Sequence, residues 1–565
     1  MVKGTRNGTR MKPASPGPLL AAIALCAALA AGVGGQDLAL PGLYYDEVIQ
    51  AEPALAFLRK DPRPSEIPGI RGTWLLGGWF PWMTQPYMGA LKSQLLIPTF
   101  ALLDPSAVAL RAATLAWGIL GLALAMLWAN LALGFAAALV TGVLLSVDPS
   151  FLFIARHDWG SFSLALLLRC GALFLLYSGY RRRSLPRLAA GGLCAGLGVF
   201  NKIDFAVSLA AMTVALVCVA PGLLRAALGE RRRELAAAAA GLAVGIAPIA
   251  IAAGEALAAA GAASRAQGTG ASPWSEKLVV AGAALDGTYF QRLMWSGGRF
   301  DPLPEGVGAA STPTLCVLAI CIGVLGVLLA RDRARRDWEP PRASQAFVVL
   351  SLLLTLAGLL LTPRAIRIHH YLNAWPFPQL VMAAALTEIW RRATGPRGRA
   401  LRWVAAALAA AVLVGSVRID LATLEDLRAS GGRGRWSDAP ERFARTLPET
   451  SRLVSLDWGF HGPLRFADPV RRLSEPIWSL RRVRDPRRGV EIPGTADDVY
   501  LVYEPEFAVF PFGAALLEAV DGLPEGSARV TLHRDGEQGP VFRTIRFDRP
   551  HRLVFRAGRM EVRLQ

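Results

Sequence analysis

The chain has 565 residues, 53% hydrophobic and only 18% charged, with a formal net charge of +18 and a mean hydropathy of +0.36. A soluble globular protein of this size does not carry so much apolar sequence without long uncharged runs. Those runs are present, so the sequence reads as a polytopic α-helical membrane protein. The basic excess does not point to nucleic acid, because much of it sits in short loops between apolar segments, where lipid headgroups and topology explain it.

Residues 3–12 carry four basic side chains and no acid, and an apolar run follows at 19–33. A cleavable signal peptide is the rival reading; an uncleaved span is preferred, since it anchors what comes next at the membrane. That is an acidic pair, Asp46–Glu47, in Leu43-Tyr-Tyr-Asp-Glu-Val. Carboxylates near hydrocarbon are expensive to keep and call for a reason.

The pair opens a long external loop, 37–106, with an aromatic cluster from Trp74 to Trp82 and the stretch Pro86-Tyr-Met-Gly-Ala-Leu-Lys92. Its apolar patches are too short to span, which predicts interfacial helices lying along the membrane. Further spans are predicted near 107–129, 135–154, 161–180, 187–201, 204–224, 235–256, 312–330, 344–362, 371–390 and 401–417, about eleven in all. The arginine clusters after the fourth, sixth, eighth and tenth spans fall in alternate loops, which puts the N-terminus inside and the C-terminus outside.

A second external loop, 257–311, holds Trp274, Tyr289, Trp295, Gly297–Gly298 and Asp301. The tail from 418 changes character. Alternating runs at 453–456, 499–503, 529–532, 542–547 and 552–555 predict strands of one soluble α+β domain. The expected division is therefore a membrane domain over 1–417 and an extracytoplasmic domain over 418–565. All six cysteines lie in apolar spans without metal-site spacing and read as small core residues.

This topology gathers polar residues on one face. Arg156-His157-Asp158-Trp159 closes the third span on the outside. Lys202 and Asp204 occupy the outer turn after the fifth, and Arg364, Arg367, His369, His370 and Tyr371 the outer turn before the tenth. Each has a plainer role: Asp46–Glu47 as a helix cap, Arg156 and Lys202 as cations reaching headgroups, Asp158 as a partner for Arg156 or Lys202. What those roles explain poorly is the joint placement of two acidic sites on one face.

The ordered set resembles a known group. It comprises a first span, an Asp-Glu pair, a long amphipathic loop, Leu103-Asp-Pro-Ser-Ala-Val-Ala-Leu-Arg111 entering the second span, Arg156-x-Asp158, and Lys202 after a Gly-rich fifth span. Over roughly residues 15–390 it is similar to the GT-C class of integral-membrane glycosyltransferases, within it to glycosyltransferase family 39, the protein O-mannosyltransferase and lipid A aminoarabinose transferase branch. The tail beyond 418 matches nothing in that group.

The resemblance implies a polyprenyl-phosphate sugar as donor, with a protein, lipid or glycan as acceptor, in the cytoplasmic membrane of a bacterium. It implies Asp46 as the base, Glu47 positioning acceptor or donor, and Asp158 as a second acidic site residue. Lys202, and less directly Arg156 with His157, would hold the lipid phosphate. Arg364, Arg367, His369 and His370 match no firm family motif; by position alone they fall where an outer loop would help close the site. One departure is that the family's lysine-proline-proline signature appears here only as Gln85-Pro-Tyr followed by Lys92.

The chemistry stands without the family. Displacement at an anomeric carbon by a hydroxyl needs a carboxylate within reach of that hydroxyl. It also needs cations on the departing phosphate, where negative charge grows. No dense His/Asp/Glu cluster demands a metal, although Asp46, Glu47 and Asp158 sharing a divalent cation stays open. A transporter or flippase for a lipid-linked or polar substrate is the alternative. It expects ionisable groups at mid-membrane and repeat-related halves, and neither is evident.

Overall fold

A computed structural model describes residues 16–61, 71–85, 87–266, 273–297, 312–334, 340–362, 367–482, 489–556 and 558–565. The chain is a multi-pass membrane protein. Among the described residues, seven helices are long and apolar enough to cross a bilayer. The bent pair Phe135–Ser146 and Pro149–His157, meeting at 59°, makes eight if it counts as one crossing. About eleven crossings were expected. Every predicted span is mostly helical, but 135–154, 204–224 and 371–390 each cross a helix break, and Leu185–Asn201, Phe205–Val219 and Phe377–Arg392 have only 17, 15 and 16 residues. At about 1.5 Å per residue these are roughly 22–26 Å long, short of a ~30 Å hydrocarbon core.

One of the short helices packs backbone to backbone with its neighbour. Gly192 and Gly196 on Leu185–Asn201 face Gly241 and Gly245 on Arg232–Ala266. A Cβ on Gly192 would lie 2.0 Å from the Ala238 carbonyl oxygen, and one on Gly241 1.9 Å from that of Ala189. Paired Gly-x-x-x-Gly faces bring two backbones together where lipid supplies no hydrophobic drive between helices. Lys202 sits at the end of this tight pair, its backbone already extended.

The first loop departs from expectation. Two short helices, Tyr45–Val48 and Glu52–Leu58, and one longer one, Leu91–Leu102, are present, but the aromatic cluster between them is a sheet. Arg71–Leu75 pairs antiparallel with Gly78–Gln85, which pairs with Met88–Gly89. Tryptophan, phenylalanine and threonine suit a pleated surface, and the Leu76–Gly77 turn is too tight for a helix to pass. In the second loop Trp274–Asp286 and Tyr289–Trp295 are helical; Gly298 and Asp301 lie outside the described residues.

The last helix, Gly395–Ser430, runs past its expected end near 417. Gly431, Gly432 and Gly434 then turn the chain with φ of 68°, 93° and 52°, a region open to glycine at little cost. The tail forms a five-stranded sheet in the order Leu473–Ser474, Arg452–Ser455, Asp498–Tyr503, Pro540–Phe547, Ala528–Arg534, beside a three-stranded sheet of Arg559–Leu564, His551–Arg556 and Val490–Gly494. All five predicted strands are observed. The helix Phe512–Asp521 covers a core that includes Val454, Tyr500, Val502, Leu516 and Ile545.

The tail is clamped to the first loop. Glu441 accepts a hydrogen bond from the Leu43 amide at 2.9 Å. Arg465 pairs with Glu52 at 3.2 Å and Asp61 at 2.8 Å, and Phe100 packs edge-on to Phe466.

Candidate functional site

Asp46 and Glu47 share a one-turn helix and part company on it. Glu47 is fully buried, and its two oxygens accept from Nε and Nη2 of Arg111 at 2.7 and 2.9 Å. Arg111 also donates to the carbonyls of Leu38, Pro41 and Gly42, so it ties the loop to the Ala107–Ala132 helix. Residues one apart on a helix point about 100° apart. With Glu47 fixed inward, Asp46 faces elsewhere and stays half-buried.

Asp46 interacts through space with Lys202, Arg435 and Arg367. Burial pushes its carboxyl up to about 6, and those three cations pull it part of the way back. Lys202, almost buried, pairs with Asp204 at 3.2 Å, and Asp204 also meets Nδ1 of His370 at 3.1 Å. Burial alone would raise Asp204; Lys202 and His370 outweigh it and hold the acid down at about 2. His369 accepts from the Trp159 indole N–H at 3.2 Å through Nδ1. Burial, then Lys202, pushes this imidazole well below its ordinary value. A Cβ on Gly160 would come 2.6 Å from the Cβ of His369, so glycine is what lets these segments meet. Tyr87, an exposed residue, completes this side, near enough to Asp46 and Asp204 to feel their charges.

The remaining wall comes from the tail. Trp436, fully buried, stacks on Tyr44 at 3.9 Å and 9°, and Trp458 packs against Tyr45 at 4.6 Å. Arg435, next to Trp436 in the glycine turn after the Gly395–Ser430 helix, has its guanidinium 6.0 Å from the centre of the Trp458 ring, and its charge acts on Asp46.

Several expected site residues are engaged in buried contacts of their own. Glu47 is occupied by Arg111. Asp158 is fully buried, 3.3 Å from Lys92 Nζ, and its Oδ1 accepts from the Ser163 amide at 2.9 Å. Arg156 is buried and donates through Nη2 to the carbonyls of Asp37 and Leu40 at 2.6 and 3.0 Å. His157 is buried flat on Phe290, with ring centroids 5.1 Å apart. A charge withdrawn from water persists only with partners: Glu47 with Arg111, Asp158 with Lys92 and Arg156 through Nη2 fasten the loop. The charges of Lys202 and Arg367 act on Asp46, while His370 is joined to Lys202 through Asp204 and His369 is held by Trp159; Arg364 lies outside the described residues. Asp46, Glu47 and Asp158 do not converge on a shared ion. Among the described residues, no group of three or more His, Cys, Asp or Glu side chains is placed to hold a metal.

Arg435, Trp436, Trp458 and Tyr87 were missed in the sequence. For the first two a signal was present: Gly431-Gly-Arg-Gly-Arg-Trp436, a glycine-rich basic and aromatic turn directly after the last span.

No family model matches the sequence, and no curated protein matches it significantly. Solved structures do match. ArnT from Cupriavidus metallidurans bound to undecaprenyl phosphate superposes with a TM-score of 0.51 at 13% identity, over 94% of this chain and 98% of that one. The chain has a GT-C fold. The same protein in its apo state gives 0.46 at 13% identity, over 93% and 98%. The Archaeoglobus fulgidus oligosaccharyltransferase in complex with Zn and sulfate gives 0.47 at 14%, over 80% and 62%. At such identity the likeness speaks for the fold alone, and it is the 0.51 superposition that carries it.

Proposed function

We propose that this GT-C protein transfers a sugar from a polyprenyl-phosphate donor to an acceptor hydroxyl on the external face of a bacterial inner membrane, with Asp46 as general base. The observation that carries the reading is the half-buried Asp46 carboxylate, coupled to Lys202, Arg367 and Arg435 while its neighbour Glu47 is fully engaged. Support also comes from ArnT, which shares the fold and was solved with undecaprenyl phosphate bound.

In this reaction Asp46 takes the proton from the acceptor hydroxyl as its oxygen attacks the anomeric carbon. The bond from that carbon to the phosphate oxygen breaks, and the electron pair leaves with the phosphate. Single displacement inverts the anomeric configuration. Lys202, Arg367 and Arg435 stabilise the departing phosphate, where charge accumulates. A carboxyl with a pKa of about 6 is mostly ionised at neutral pH and more basic than an ordinary aspartate, which suits proton removal. His369 and His370 border the phosphate side; Asp204 keeps Lys202 in place. Residues 1–417 form the catalytic membrane part and 418–565 the extracytoplasmic domain, which completes the site through Arg435 and so stands where an acceptor enters.

The test is purified protein with a radiolabelled polyprenyl-phosphate sugar and membrane extract as acceptor. Label moving into a product of new covalent structure is the expected result. Labelled lipid crossing liposomes without covalent change would establish the transporter instead.

A further inference from the structure

The first-loop hairpin takes no part in that chemistry. Leu75 pairs with Gly78, so Leu76 and Gly77 are its two turn residues, with φ of 51° and 77°. Turns of this hand favour Asn-Gly, because a left-handed backbone is costly for a residue bearing a Cβ. Here the first position is leucine, and it is 85% exposed. Trp74 and Leu75 beside it are 60% and 47% exposed. One residue thus combines a strained backbone with an apolar side chain in the open. Folding asks for neither, and strain kept where folding gains nothing marks a functional position.

Two features say what meets this tip. A cation borders it: Lys60 is exposed, with Nζ 4.0 Å from where a Gly77 Cβ would stand, and the exposed Arg59 precedes it in the chain. The root is fixed to ends of membrane helices. Met83 packs with Phe200 and Ile249, and the Tyr87 carbonyl accepts from the Ile203 amide at 3.1 Å. Tryptophan and leucine next to lysine and arginine is the chemistry of the interfacial layer of an anionic bilayer.

We infer that the Arg71–Gln85 hairpin is a membrane-inserting finger: Trp74, Leu75 and Leu76 enter the interfacial layer, while Lys60 and the adjoining Arg59 meet lipid phosphates. Its root carries Tyr87 and abuts the Lys202–Ile203 turn, so insertion fixes that wall of the site at the lipid surface. A lipid-borne substrate would arrive there; that consequence rests on the proposed function, whereas insertion itself does not.

The test places the photoreactive residue p-benzoylphenylalanine at Leu76, and separately at Leu75, in the full chain in phosphatidylethanolamine–phosphatidylglycerol nanodiscs. Val470, 81% exposed on the tail, serves as control. Expected are phospholipid adducts several-fold more abundant at 76 and 75 than at 470, and unchanged in an Asp46→Asn background. Adducts no more frequent than at Val470, or adducts to protein in their place, whether a second copy or another polypeptide, overturn the finger. Because crosslinking needs no turnover, its failure leaves the glycosyl-transfer reading untouched.

Discussion

Two charged clusters stand at the same end of the helix bundle, and they are built in opposite ways. In the closed cluster, Glu47 with Arg111, Asp158 with Lys92, and Arg156 through Nη2 on the carbonyls of Asp37 and Leu40 are all buried and hold the first loop. In the open cluster, Asp46 keeps partial access and feels three cations, while Lys202, Asp204 and His370 form a chain beside it. Adjacent residues of one acidic pair fall on either side of this line. Rigidity and reactivity are thus divided between neighbours: the buried carboxylate fixes the frame that presents the accessible one.

That division is open to attack by substitution. The largest effect expected is on folding, from Glu47→Gln, which leaves Arg111 buried with one charge lost. Breaking such a pair costs about 3–5 kcal/mol, read as a lowered melting midpoint in detergent, with turnover per folded molecule retained. Normal melting with turnover abolished would instead exchange the roles of the two acids. Lys202→Ala removes a cation from the open cluster and should cost about 1.5–3 kcal/mol of charge-assisted interaction. It is read as loss of kcat/KM for the donor at unchanged acceptor KM; equal loss for both substrates assigns Lys202 to the frame.

Smaller still is a shift on the pH axis. The acidic limb of kcat/KM should fall as pH drops through about 6, because a protonated Asp46 accepts no proton. Arg435 lowers that pKa, so Arg435→Gln should move the limb to higher pH; an unmoved limb removes Arg435 from the cluster. Least is Leu76→Asn, which relieves left-handed strain and should stabilise by up to ~1 kcal/mol, with turnover in detergent unchanged. A destabilised Leu76→Asn protein would mean that the leucine packs on something within the fold.

The helices were legible because long apolar runs between arginine clusters have few alternative readings. The tail strands were legible for a similar reason, since alternation flanked by turns leaves little choice. The 71–85 hairpin was not, because a short aromatic run reads equally as an interfacial helix. Gly77–Gly78 was the available clue. The partition of charges was also hidden. Arg111 appeared only as the border of a span, and Lys92 only as the remnant of a motif, yet each claims an acid that was expected to line the site. Arg435 was missed for another reason: the Gly431-Gly-Arg-Gly-Arg-Trp436 turn marks a basic and aromatic break after the last span, but no local pattern reports that the chain folds back there to stack Trp436 on Tyr44.

The central claim is that Asp46 removes the acceptor proton. The most direct measurement compares wild-type and Asp46→Asn protein, reconstituted with labelled polyprenyl-phosphate sugar, for turnover, donor binding and melting together. The account predicts a loss of turnover on the order of 10²–10⁴-fold, with donor binding and melting preserved. Turnover within a few-fold of wild type would contradict it.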